Sequence, residues 1–256
     1  MKGKLEVKDL SAGYGKKRVI ENVSFEAERG KLTVIVGPNG SGKSTLLKAI
    51  SRIVKPESGT VTLDGESLYS LSPKERARKI TYMAQGRDVP EMKVGALVLH
   101  GRFPYKSYPV HYGEEDYRIV DEELEKMDIL HKKDELLSSL SGGERQKVYI
   151  AMCLVQETDV ILFDEPTTYL DISRQFKVLD EAKALAREGK CVIIVLHDII
   201  QALETADKII VMKDGRVIKE DVPDNIFSSK VLDDVFSITL EKENCRYFYS
   251  RKKDGS

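Results

Sequence analysis

The stretch KLTVIVGPNGSGKST, Lys31 to Thr45, decides how the rest of the chain is read. Its first half is an almost unbroken apolar run of strand length, the pattern of a strand buried on both faces. Its second half fits G-x-x-x-x-G-K-[ST] through Gly37, Gly42, Lys43 and Ser44, and it opens a helix. The glycines let the loop Gly37, Pro38, Asn39, Gly40, Ser41 and Gly42 wrap so that successive N–H groups face phosphate oxygens. Lys43 reaches the β and γ phosphates, and the hydroxyl of Ser44, with Thr45 beside it, is placed to meet Mg2+. This turn predicts a nucleotide site.

Outward from it, KLEVKDLSAGYG and VIENVSFEAERG alternate apolar and polar residues and read as antiparallel strands, and GTVTLDGESL reads as another ending in an Asp-Gly turn. Downstream, VILFDE and CVIIVLHD are two further buried strands separated by the helical DISRQFKVLDEAKALAREGK. That order implies a parallel sheet with right-handed crossovers. DKIIVMKDGRVIKE closes the core as a hairpin around Asp214 and Gly215. Between the halves, charged helix-favouring sequence such as GEEDYRIVDEELEKMDILHKKDELLSSL predicts an inserted helical subdomain. The expected architecture is one α/β domain over 1–256. Residues of about 1–85 and 159–240 form a core with an N-terminal antiparallel β subdomain, about 86–158 the helical subdomain, and 241–256 a tail too short to be a separate module.

VILFDE ends a buried strand in two carboxylates, which places them at the carboxyl edge of the sheet, where open α/β sheets bind ligands. Asp164 is suited to hold Mg2+ through water, and Glu165 to polarise an attacking water. A second anion-binding turn follows from LSGGERQKVYIAMCLV, Leu140 to Val155. Ser141, Gly142 and Gly143 precede a helix with Val148, Ala151, Met152 and Val155 on one face, so bare N–H groups and the positive helix end point outward.

The 256 residues carry 41 basic and 42 acidic side chains, a net charge of −1, which argues against coating nucleic acid with positive field. Cys153, Cys191 and Cys245 lack zinc or thioredoxin spacing and read as reduced thiols. The start MKGKLEVKDL has no apolar signal core, and no run approaches the roughly 18 apolar residues of a spanning helix, so a soluble chain is expected.

In order, these motifs resemble the ATP-binding subunits of ABC transporters from about Leu5 to Ile238. The resemblance implies a P-loop NTPase fold and an ATPase with ATP and Mg2+ as ligands. Tyr14 would stack on adenine. Gln85 in YMAQ would link the metal site to the helical subdomain, joining Ser44 and Asp164 as metal residues and Glu165 and His197 as catalytic ones. His197, ending IIVLH, matches the switch histidine near the γ phosphate; His100, His111 and His131 have no such context and read as structural or surface residues. LSGGE, with Glu144, matches the family signature, and TYLD, with Asp171, the D-loop, where Thr168 replaces the more usual Ser.

In this family two cassettes pack head to tail. Ser141 and Gly143 of one copy would then contact the γ phosphate held by Lys43 of the other, which gives a single chain a reason to carry two phosphate-binding turns. A lone cassette implies permease subunits, an extracellular substrate-binding protein reached through them, and a peripheral place on the cytoplasmic membrane face. GRFPY, Gly101 to Tyr105, and DEPTTYLDI are similar to cassettes that import iron-siderophore, haem or cobalamin chelates, although Arg174 stands at a usual His and Lys147 at a common Arg. The alternatives are an exporter cassette, or a non-transport cassette acting on DNA or ribosomes. The latter types usually carry a coiled coil or a second cassette, and neither is present; no nucleic-acid partner is expected.

Overall fold

A computed structural model describes residues 3–86, 89–168, 170–244 and 246–251. Tyr169 of the TYLD string, Cys245 and the last residues of the expected tail, 252–256, lie outside the described residues.

The chain opens with β1 (Lys4–Tyr14) and β2 (Lys17–Glu28), enters the interior as β3 (Leu32–Val36), and continues into α1 (Lys43–Ile50). It returns outward as β4 (Pro56–Leu63) and the short β5 (Glu66–Ser67), turning at Asp64 and Gly65, both with positive φ. These strands build the expected antiparallel sheet, in the order β2-β1-β4-β5. After α2 (Pro73–Ala77) comes β6 (Ile80–Met83), a buried strand that the sequence reading did not single out.

The helical insert contains α3 (Val94–Leu99), α4 (Glu114–Lys126) and α5 (Gly142–Leu154). The charged stretch read as helical throughout is α-helical only over α4. Met127 leaves the helix and Asp128 takes φ 52°, after which Leu130–Lys132 and Leu137–Ser139 form 3-10 turns. Charge composition favours a helix but does not mark that left-handed stop.

The core resumes with β7 (Val160–Asp164), α6 (Ile172–Arg187), β8 (Cys191–Val195), α7 (Ile199–Thr205), β9 (Lys208–Lys213) and β10 (Arg216–Asp221). The central sheet runs β10-β9-β3-β8-β7-β6, parallel from β9 to β6, with β10 antiparallel at one edge. Alternate residues face opposite sides of a strand. Thus Val34, Phe163 and Ile194 join one hydrophobic cluster, with the helical subdomain, while Ile35, Leu162 and Ile193 join the other, under the antiparallel sheet. Burial on both faces is the physical reason these strands read as unbroken apolar runs.

Beyond β10, α8 (Pro223–Ser228) and α9 (Val231–Phe236) bury Ile226 and Leu232 in the core, and β11 (Ile238–Glu243) pairs with β12 (Arg246–Arg251). Phe227 meets Tyr247 edge-on with ring centroids 5.3 Å apart. The contact thereby ties β12 to α8.

GRFPY has a packing role. Arg102 and Asp116 are only 7% and 4% exposed, with Arg102 Nε 3.2 Å from Asp116 Oδ1, and Lys106 bonds the other carboxylate oxygen. Arg102 also donates to the Val155 carbonyl at 2.6 Å and lies over the Tyr105 ring at 4.3 Å, so it joins α4 to the end of α5. Arg102→Ala leaves a buried carboxylate short of a partner and is expected to lower unfolding free energy by about 3–5 kcal/mol. Urea denaturation measures this, and a loss under about 1 kcal/mol would contradict it.

Candidate functional site

Parallel register brings the carboxyl ends of β3, β8, β7 and β6 to one edge. Ile35 and Asp164 both pair with Val195, and Met83 pairs with Phe163. The residues just beyond these ends, Gly37, His197, Glu165 and Gln85, therefore converge although they are far apart in the chain.

The loop after β3 is shaped for close backbone approach. A Cβ at Gly37 would lie 2.3 Å from the Met212 carbonyl oxygen, and Gly42 caps α1 with φ 98°, where a Cβ would meet Ile20 at 2.7 Å. No side chain caps α1 and its first turn holds no acid, so its leading N–H groups remain for an anion. The Ser41 hydroxyl is buried with no hydrogen-bond partner, a group an oxyanion would satisfy. Lys43 is 5% exposed and donates to the carbonyls of Gly37 at 2.8 Å and Pro38 at 3.0 Å. Burial pushes its ammonium below the usual lysine range, while Glu165 and Asp164 pull the other way.

The two carboxylates have different surroundings. Asp164 is 1% exposed; its Oδ1 accepts from Ser44 Oγ at 2.9 Å and its Oδ2 from the Tyr82 hydroxyl at 2.8 Å. Burial raises its pKa, and these two hydroxyls work against the rise. Glu165 sits at φ 53°, a left-handed conformation that is uncommon for a side chain of this size and recurs at functional sites. Its Oε2 is 2.6 Å from His197 Nε2, accepts from Gln85 Nε2, and lies 3.4 Å from the Thr168 hydroxyl. A cleft of about 420 Å3 unites the loop of Asn39 to Thr45 with Gln85, Glu165 and His197. Val19 of β2, which nothing in the sequence marked, also lines it.

The LSGGE turn lies outside that cleft. Ser141 caps α5 in a reciprocal box: its Oγ accepts from Glu144 N at 3.4 Å and Glu144 Oε2 accepts from Ser141 N at 2.8 Å. These bonds from Ser141, with Lys132 adding, hold the Glu144 carboxyl down at about 2. A Cβ at Gly143 would strike the Arg174 guanidinium at 2.3 Å, so this glycine makes room for Arg174. Asp171 caps α6 by accepting from Arg174 N at 3.0 Å. Neither Asp171 nor the half-exposed Tyr14, at the outer end of β1, lines the cleft.

A model of the family described as ABC transporter matches residues 20–168, more than half the chain. The chain belongs to the ABC transporter family. Among relatives of this cassette, the ferric enterobactin transport ATP-binding protein of Escherichia coli is 39% identical over 237 residues, covering 92% of this chain and 88% of that protein. A probable siderophore transport system ATP-binding protein of Bacillus subtilis is 37% identical over 239 residues, covering 93% and 87%. A solved transporter assigned to the metal-chelate type, in an inward-facing conformation, superposes with a TM-score of 0.81 at 26% identity, covering 96% of each chain. The cassette is thus an ABC ATPase domain, with the α/β fold expected of it.

Three polar residues of this ABC cassette were not anticipated. Tyr82 bonds Asp164; Gln146 of α5 donates to the Pro166 carbonyl at 2.7 Å; and buried Gln201 donates at 2.6 Å to Gln175, which in turn donates to the Leu170 carbonyl at 3.0 Å. The last two brace the segment after Glu165 from both sides. No local pattern could have found them, because each depends on a partner at least 20 residues away in sequence. Cys153 and Cys191 are buried thiols, and burial raises the Cys191 thiol to about 12. His100, His111 and His131 are exposed and away from the cleft.

Proposed function

We propose that this chain hydrolyses ATP to power an importer of a metal chelate of the iron-siderophore, haem or cobalamin type. The single observation that carries the hydrolytic part is the convergence of Gln85 and His197 on one oxygen of Glu165 beside the phosphate-binding loop. The chelate part is supported by relatives whose names specify siderophore transport over more than nine-tenths of this chain.

The donor set suits Mg2+. Ser44 Oγ and Asp164 Oδ1 are 2.9 Å apart and Gln85 is nearby, while no cluster of three His, Cys, Asp or Glu among the described residues could hold a metal. One carboxylate with a hydroxyl and an amide suits an ion bound largely through phosphates and water. When bound, Mg2+ would neutralise charge on the β and γ phosphates. Lys43 holds the same phosphates, Glu165 takes a proton from the attacking water, and His197 stays on Glu165 from the γ-phosphate side. Gln85 ties Glu165 to the helical subdomain. Tyr14 would stack on adenine.

The signature turn, Ser141 to Glu144, lies outside the cleft and would grip ATP held by a second copy, with Asp171 at the same junction. Among the described residues no helix is long and apolar enough to cross a membrane. Permease subunits would supply that path and place this chain on the cytoplasmic membrane face, and an extracellular binding protein would deliver the chelate to them.

Affinity capture with the tagged chain from solubilised membranes tests the reading. Recovery of a permease supports it, whereas ribosomes or DNA ends in place of a permease would overturn it. Coupling has its own test in vesicles reconstituted with that permease. Gln85→Ala removes the bond to Glu165 from the start of the helical insert, and is expected to bind ATP yet fail to link hydrolysis to transport. Full transport by the variant would refute that role.

A further inference from the structure

We propose that Tyr82 is a positioning residue that fixes the Asp164 carboxylate for the divalent cation and connects it to the helical subdomain. The proposal rests on the assignment of Asp164 and Ser44 to that cation. Tyr82 pairs with Leu162 in the parallel register of β6 and β7, so its side chain reaches along β7 to Asp164, two residues further on. The 2.8 Å bond to Oδ2 and the 2.9 Å bond from Ser44 to Oδ1 hold the carboxylate from both ends. The χ2 torsion of an aspartate is broad, so without the tyrosine hydroxyl only the Ser44 bond would define the carboxylate plane. Oδ2 would also lose its donor in a site that is 1% exposed.

Gln85, three residues after Tyr82, bonds Glu165. The end of β6 therefore grips both carboxylates at the end of β7, one with a phenol and one with an amide. This same segment leads directly into the helical insert. A shift of the insert that moved the end of β6 would reach the cation residue and the base together.

The test uses Mn2+ as a spectroscopic probe on the full chain loaded with ATP. Electron paramagnetic resonance of free Mn2+ gives its affinity, and ATP binding in EDTA gives a metal-free reference. Tyr82→Phe keeps the ring and removes only the hydroxyl. It is expected to weaken Mn2+ binding by about tenfold, the scale of a hydrogen bond to a charged group, while ATP binding in EDTA stays within about twofold. Unchanged Mn2+ affinity in Tyr82→Phe, with a loss in Asp164→Asn, overturns the role of Tyr82 alone. Unchanged affinity in Asp164→Asn removes the cation assignment, and the proposal with it. An equal loss of ATP binding in EDTA shows general disruption of the cleft and also overturns it.

Discussion

Glu165→Gln is expected to cut ATP turnover by about 100- to 10,000-fold while ATP remains bound, because an amide cannot take up a proton as a carboxylate can. The substitution is nearly isosteric, and the side-chain oxygen can still accept from His197, now 2.6 Å away. The left-handed backbone at 165 is no harder for Gln than for Glu, so the fold should persist. ATP that cannot be hydrolysed should then hold two copies together as a homodimer visible by size exclusion. Adding Ser141→Arg should abolish the dimer, since a long side chain would replace the small cap of α5 that, on the shared-site reading, would face the partner's nucleotide. A mixed pair gives the finer check, with Ser141→Arg in one copy and Lys43→Ala in the other. The intact loop then faces the intact signature at one site only, and photo-crosslinked ATP should label only the Ser141→Arg copy. Equal labelling of both copies, or a dimer of the Glu165→Gln, Ser141→Arg double variant, would defeat the shared-site reading.

Lys43→Ala is expected to weaken ATP binding at least about 100-fold, the equivalent of roughly 3 kcal/mol for loss of charge-assisted bonds to two phosphates. The free protein holds this ammonium almost fully buried against two neutral carbonyls of its own loop. Burial disfavours its charge more than Glu165 and Asp164 favour it, and phosphates add further countercharge. Equilibrium binding of a labelled ATP analogue measures the loss. Thermal unfolding of the variant without nucleotide separates it from damage to the loop, since the Gly37 and Pro38 carbonyls also lose a donor. Affinity within about threefold of the parent, in a variant that melts normally, would rule out this role.

The local grammar of the site was legible in the sequence. An apolar strand, a glycine loop and a helix start occupy one continuous stretch, and every feature that makes it a phosphate cradle lies within about ten residues. VILFDE likewise announces two acids at a buried strand end. Their separate roles could be read there too, but the side chains that enclose each acid could not. Asp164 is enclosed by hydroxyls from residues 44 and 82, and Glu165 by side chains from 85 and 197. Those meetings follow from the sheet order β3-β8-β7-β6, which places strands from four separate parts of the chain side by side. Periodicity and turn chemistry are properties of neighbouring residues, so sequence alone determined that strands, loop and helix would form and that a nucleotide would be held. Which side chain touches which carboxylate depends on contacts spanning about 30 to 120 residues. Only the packed sheet, where register aligns the strand ends over a core buried on both faces, decided that Tyr82, Gln146 and Gln201 would brace the site and that the signature turn would stand apart from it.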